Sequence, residues 1–152
     1  MNKIRGFTLF ELLMALLVIG VLTSFALPSF RSTIARTQVN TDKDALKGAL
    51  NFARMEAIDK RIQTAFESNG SGGWQVRNVA TDEVLRTFNI SGVNSSIVTV
   101  KNPIIYEPSG YRQFGGAAVV FNICNDKGNG KESGKRVTVS TGGSLKTENI
   151  QC

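Results

Sequence analysis

Apolar side chains follow three successive patterns along this chain. From Phe7 to Leu27 they are nearly continuous (FTLFELLMALLVIGVLTSFAL), and Glu11 is the one ionisable residue in the run. At ~1.5 Å per residue, a helix over this stretch matches the ~30 Å hydrocarbon core of a bilayer. From Phe30 to about Ile62 the pattern turns amphipathic. Phe30, Ile34 and then Leu46, Leu50, Ala53 and Ala57 mark an apolar stripe at three- and four-residue steps. Arg31, Arg36, Asp42, Lys43, Asp44, Lys47, Arg54, Glu56 and Lys60 fill the gaps, and the stripe is weakest over Asn40–Asp44. Pro28 is expected to kink or loosen the helix rather than end it, because helical spacing resumes beyond it. A helix from Phe7 to about Ile62 would be ~84 Å long, with Leu46–Ile58 packed on a sheet.

After Ile62 the period shortens. Asn69–Gly73 reads as a flexible turn. Short β-rich runs follow at Trp74–Val79, Val84–Ile90, Ser96–Lys101, Ile104–Glu107, Ala117–Cys124 and Lys135–Thr141, with a last short strand at Ser144–Glu148. Turn signals separate them at Thr81-Asp82, Pro108-Ser109-Gly110, Gly115-Gly116, Asn125–Gly134 and Gly142-Gly143. Consecutive strands without intervening helices favour antiparallel pairing. The pattern thus predicts an α+β chain: a six-residue start (1–6), a membrane-spanning helix (7–29), an amphipathic helix (30–62) and a β-rich domain (63–152).

The apolar run is unlike a secretory signal, being longer and lacking an A-x-A cleavage site. It is preceded by MNKIRG. A cut after Gly6 would leave a free amine on Phe7, four residues before Glu11 and on the same face of a helix. A carboxylate in lipid is costly and ordinarily has a partner. That amine, on the same helix or a neighbouring copy, is the obvious one, and the second arrangement would set the stagger of subunits in a filament. The plainer alternative is a signal anchor in which Glu11 reaches the head groups. The string Gly6-Phe7-Thr8-Leu9-Phe10-Glu11-Leu12-Leu13, continued by Ala26-Leu27-Pro28-Ser29-Phe30, resembles the class III signal of type IV pilins and type II secretion pseudopilins. The resemblance implies cleavage by prepilin peptidase between Gly6 and Phe7, N-methylation of Phe7, and a role for Glu11 in filament assembly. Phe10 stands where the family usually has Ile or Val, and is likewise apolar.

Charge adds orientation. The formal net charge is +6, and Lys3 and Arg5 precede the apolar run. By the positive-inside rule they keep the N-terminus cytoplasmic, leaving the rest of the chain across the inner membrane, where oxidation is permitted. A Cys124–Cys152 disulfide is expected there, closing a loop of about 28 residues for ~3–4 kcal/mol. The chain has no His, which removes the commonest general base and metal ligand. No catalytic constellation is visible, and the reading is of a protein that is not an enzyme and takes no cofactor or metal. Asp126–Glu132 only faintly resembles a calcium loop, since two lysines interrupt it. Lys127, Lys131, Lys135, Arg136 and Lys146 form a candidate DNA-contacting cluster, with Tyr111, Arg112 and Phe114 available for stacking. Asp126, Glu132 and Glu148 dilute its field, which favours a solubilising rim.

The C-terminal half resembles the GspH/FimT family of minor pilins and pseudopilins. The resemblance rests on Ile104-Ile105-Tyr106-Glu107-Pro108-Ser109-Gly110, Phe121-Asn122-Ile123-Cys124, Arg136-Val137-Thr138-Val139-Ser140-Thr141-Gly142 and the terminal Cys152. It implies a type IV pilin-like fold, with a long helix on antiparallel sheets, and partnership with other pilins through the N-terminal helix. Some FimT-like members bind DNA through a Gly-Arg-x-Arg motif after the last β-turn. Here that place reads Gly142-Gly143-Ser144-Leu145-Lys146, without either arginine. Three readings therefore stand: a minor pilin that primes or caps a type IV pilus, an H-type secretion pseudopilin, and a pilus-associated DNA receptor.

Overall fold

A computed structural model describes residues 7–70, 73–90, 95–99, 103–113, 117–125 and 133–152. The chain divides into two compact units, Met1–Ile34 and Ala35–Cys152. Helix α1, Leu9–Asp59, contributes to both and continues without a break through Pro28. The expected leader and most of the Asn125–Gly134 loop, with its faint calcium-loop pattern, lie outside the described residues.

In the first unit every large apolar side chain from Phe7 to Leu22 is half or more exposed. The Thr23 hydroxyl donates to the Ile19 carbonyl and the Ser24 hydroxyl to that of Val21, so both are satisfied within the helix. Side chains at 25–32, in the rest of the expected 7–29 span, lie outside the described residues. Among the described residues, no helix is long and apolar enough to cross a membrane.

The second unit contains two four-stranded antiparallel sheets. Its strands are β1 (Thr64–Ser68), β2 (Trp74–Asn78), β3 (Val84–Phe88), β4 (Ser95–Thr99), β5 (Ile104–Tyr106), β6 (Val119–Asn125), β7 (Ser133–Val139) and β8 (Leu145–Gln151). The first sheet runs β3-β2-β1-β5 and the second β4-β6-β7-β8. On α1 the buried positions Val39, Asp42, Leu46, Ala49, Leu50, Ala53 and Ala57 keep helical spacing. All but Asp42 share one core with Phe66, Trp74, Val76, Ile104 and Tyr106 of the first sheet and Val119, Phe121, Ile123, Val137 and Val139 of the second. Phe66 stacks on Trp74 with centroids 4.9 Å apart, and both meet Phe121 edge-on, which joins the sheets through an aromatic trio.

Two expectations need correction. The helix ends at Asp59 rather than near Ile62. Arg61 adopts a left-handed φ of 54°, and the Ile62 amide donates back to the Ala57 carbonyl, which is a Schellman closure. The second concerns β1, which none of the expected strands includes although it is central in the first sheet. Its first three residues, Thr64, Ala65 and Phe66, are all buried, so the alternation that marks a half-exposed strand is absent.

The disulfide joins Cys124 of β6 to Cys152, just beyond β8, with Cα atoms 6.0 Å apart. Gly134 of β7 lies beneath it: a Cβ there would collide with Cys152 Sγ and come within 3.2 Å of Cys124 Sγ. The bridge thus passes over β7 at a position where only glycine leaves room.

Two outcomes are expected. An L-residue in the left-handed region costs roughly 1–2 kcal/mol, so exposed Arg61→Gly should raise stability by about 1 kcal/mol in denaturant unfolding. Tyr106 is fully buried, and its hydroxyl has no hydrogen-bond partner among the described residues. Burial pushes that hydroxyl up from 10.0 to about 12, against the opposing pull of the Arg54 and Arg112 charges. The unfolded tyrosine loses its proton first. This group's share of stability is therefore complete below pH 10 and is lost as pH rises towards about 12, on the order of 2–3 kcal/mol. Tyr106→Phe should leave stability at neutral pH unchanged or slightly higher and flatten that alkaline loss.

Candidate assembly site and basic strand face

The start of α1 is built as a capping box. Thr8 precedes the helix, and Glu11 is its third residue. The Thr8 amide and hydroxyl donate to Glu11 Oε2 at 2.9 and 3.0 Å, while the Glu11 amide donates to the Thr8 hydroxyl at 3.2 Å. The expected Phe7–Glu11 pairing requires the free amine that a cut after Gly6 would leave. Phe7 lies before the helix, and with Gly6 attached its nitrogen is a peptide amide. Thr8 is the residue that sequence reasoning missed. Its signal was present: Thr8-Leu9-Phe10-Glu11 has the T-x-x-E spacing of a capping box ahead of an apolar run.

The candidate DNA-contacting residues do not form one described cluster. Lys127 and Lys131 lie outside the described residues. Lys135 and Arg136 are consecutive on β7 and therefore face opposite sides of the sheet. Lys135 shares the parity of buried Val137 and Val139, and its ammonium donates to Asn149 Oδ1. Arg136 shares the outer parity with Lys146 and Glu148, its cross-strand neighbours on β8. Its Nε donates to Asn122 Oδ1 at 3.0 Å. Lys146 pairs with Glu148 at 2.6 Å; that contact raises the lysine's pKa and holds the carboxyl below its ordinary range. The outer face is thus mixed in sign. Of the proposed stacking residues, Tyr111 is exposed, Arg112 is buried with its Nη2 donating to the Ala117 carbonyl, and Phe114 is not described.

The motifs behind the C-terminal resemblance converge instead on α1. Arg54 donates to the Gly143 carbonyl at 3.1 Å. Gly143 and Gly110 both have left-handed φ, and a Cβ on Gly110 would fall 2.7 Å from Ile58 Cδ1. The Arg112 amide donates to the Thr141 carbonyl, linking the turn after β5 to the β7–β8 turn. Sequence spacing did not single out Arg54, because its partner lies 89 residues away. Among the described residues there is no group of three or more acidic, His or Cys side chains placed to hold a metal.

Comparisons with known proteins agree with this architecture. The family described as type II transport protein GspH matches residues 44–143, and the prokaryotic N-terminal methylation motif matches residues 1–27. A fimbrial protein of Moraxella nonliquefaciens is 42% identical over 57 residues, covering 36% of this chain and 37% of that protein. The type IV major alpha-pilin of Moraxella bovis is 24% identical over 99 residues, 60% of this chain and 62% of its own length. The chain therefore spans between about a third and three fifths of these two relatives. The crystal structure of the type IV minor pilin FimU of Pseudomonas aeruginosa shares the fold, with a TM-score of 0.63, 18% identity, and coverage of 74% of this chain and 90% of that one.

Replacing Thr8 with Val removes both the hydroxyl acceptor and the hydroxyl donor of the capping box. The expected result is several-fold faster amide exchange at Glu11, with exchange in Leu46–Ala57 unchanged.

Proposed function

The chain belongs to the GspH family, and from that premise we propose that it is a minor pilin that enters a type IV pilus and helps to initiate or cap it. The observation that carries this reading is the pairing of two parts in one chain. A methylation motif opens a segment whose large apolar residues from Phe7 to Leu22 stay exposed, and a GspH-type domain has completed its own core. A segment with that much exposed apolar surface requires an apolar partner. The bilayer would be that partner before assembly, and the equivalent helices of other pilins would be after it. In this reading prepilin peptidase cuts between Gly6 and Phe7, Phe7 is methylated, and Glu11 registers neighbouring subunits. The N-terminus is cytoplasmic and the β domain periplasmic. The protein has a structural role and no catalytic one.

A second reading is an H-type pseudopilin of a type II secretion system, which the description of the matched family favours. It uses the same helix and the same Glu11 in a different filament. A DNA-receptor role has less support, because Lys146 is paired with Glu148 and Lys135 and Arg136 face opposite ways.

Deletion of the gene should strip cells of surface pili, and restoring it should bring them back, as counted by electron microscopy. Glu11→Ala should fail to restore them while the protein remains in the membrane fraction. Normal piliation in the deletion strain would instead transfer the role to secretion, to be read as secreted-enzyme activity. Wild-type behaviour of Glu11→Ala would sink both filament readings.

A further inference from the structure

The inner face of the second sheet is apolar through Val119, Phe121, Val137 and Val139, then ends in a cation at Lys135, across from Ile123. At that end a cleft of about 250 Å³ opens between β7 and α1, lined by Arg36, Val39, Asn40 and Lys135. Arg36 and Asn40 are four residues apart and so share one helix face. Val39 is buried beside them. Two cations and an amide thus border one cleft, and none of the described residues lining it is acidic. Among the described residues, neither Arg36 nor Lys135 has an ion pair, and the Lys135 ammonium is held by the neutral Asn149 amide.

We propose that this cleft binds the phosphate of an anionic phospholipid head group. Arginine offers a planar fork of N–H donors that matches phosphate oxygens, and lysine adds a point charge. The cleft's volume exceeds that of a phosphate alone and leaves room for a glycerol substituent. A nucleic-acid strand fits less well. Its backbone needs a cationic track, whereas Arg136 and Lys146 lie on the opposite side of the sheet and share that side with Glu148. A lipid is favoured because Arg36 follows the apolar run on the same helix, nine residues after Leu27. This inference rests on the membrane-anchored reading given above.

The test uses the full chain in nanodiscs of phosphatidylcholine alone or mixed with phosphatidylglycerol. Amine-reactive labelling is followed at each lysine by mass spectrometry. Phosphatidylglycerol should slow labelling of Lys135 several-fold relative to exposed Lys60 and Lys146, and Arg36→Gln should abolish that protection. Equal labelling of Lys135 in both discs overturns the proposal. So does equal protection from inorganic phosphate added to phosphatidylcholine discs, which would make the occupant a free anion. A chain that stays outside the discs rejects the anchored reading itself, whereas a chain that enters them with Lys135 unprotected rejects this inference alone.

Discussion

The contact of α1 with β1 at Ala53 is the constraint on which the second unit depends. Ala49, Ala53 and Ala57 recur every four residues on the buried face and are fully inaccessible. Against this strip of methyl groups the Thr64 hydroxyl of β1 donates to the Ala53 carbonyl at 2.8 Å. A helix carbonyl already engaged within the helix can accept this second bond through its other lone pair only if the strand comes close. Larger side chains on the strip would hold β1 away. Phe66, two residues along β1, would then lose its place between Trp74 and Phe121, and the link between the sheets would weaken. The bulk removed by the alanines is supplied beside them by Leu46 and Leu50, also fully buried. Small residues set the distance, and large ones fill the space that remains.

Beside the alanines, on the same turns of α1, a second constraint comes from Arg54 and Ile58. Arg54 and Ile58 receive the two glycine turns at Gly110 and Gly143, and both turns require left-handed backbone. A side chain on Gly110 would meet Ile58, and one on Gly143 would meet the Gly110 carbonyl at 2.6 Å. Gly110 ends the stretch Ile104–Gly110, and Gly143 directly follows Arg136–Gly142. They form the joint by which strands from both sheets close onto α1. Arg77, paired with Glu67 and Asp82 at 2.7 Å, does similar work on the other edge of β1. Burial raises the Glu67 carboxyl's pKa, but the hydrogen bonds from Arg77 and Gln75 outweigh it, and the group stays below its ordinary value.

Most of the element order was legible because periodicity reports burial on one face. The stripe Leu46, Leu50, Ala53, Ala57 lies on the buried face, and seven of the eight strands overlap the runs marked by β-branched residues and turns, although β4, β6, β7 and β8 extend beyond theirs by one to three residues. What escaped had separate causes. Strand β1 is covered on both faces and so shows no alternation. Arg61 ends the helix in a conformation that glycine would announce but arginine does not. The basic residues looked clustered by number, yet consecutive positions on β7 point to opposite faces of the sheet. The Thr8–Glu11 box was within reach of a motif reading, and was obscured by the more conspicuous pairing of Glu11 with an N-terminal amine.

The two units solve opposite burial problems, and magnitudes show which of them drives association. The second unit buries most of its described apolar residues, with Met55, Ile58, Val84 and Tyr111 left exposed. The first leaves 12 large apolar side chains, from Phe7 to Leu22, half or more exposed. Completing the burial of each contributes roughly 1 kcal/mol, so the segment holds on the order of 10 kcal/mol of unsatisfied apolar driving force. That force is non-directional, and a lipid tail satisfies it as well as a neighbouring helix does. It can hold the chain in a bilayer or in a bundle, but it cannot choose an axial position within either. Choice of position requires a directional group, and Glu11 is the only ionisable side chain in the run. In the uncut chain that carboxylate is already engaged by Thr8 through two donors. In the proposed filament a neighbouring amine would compete with a local cap that is itself charge-assisted, and its advantage would be the full opposite charge it brings into an apolar setting. Apolar burial would supply the affinity, and exchange of the Glu11 partner would supply the register.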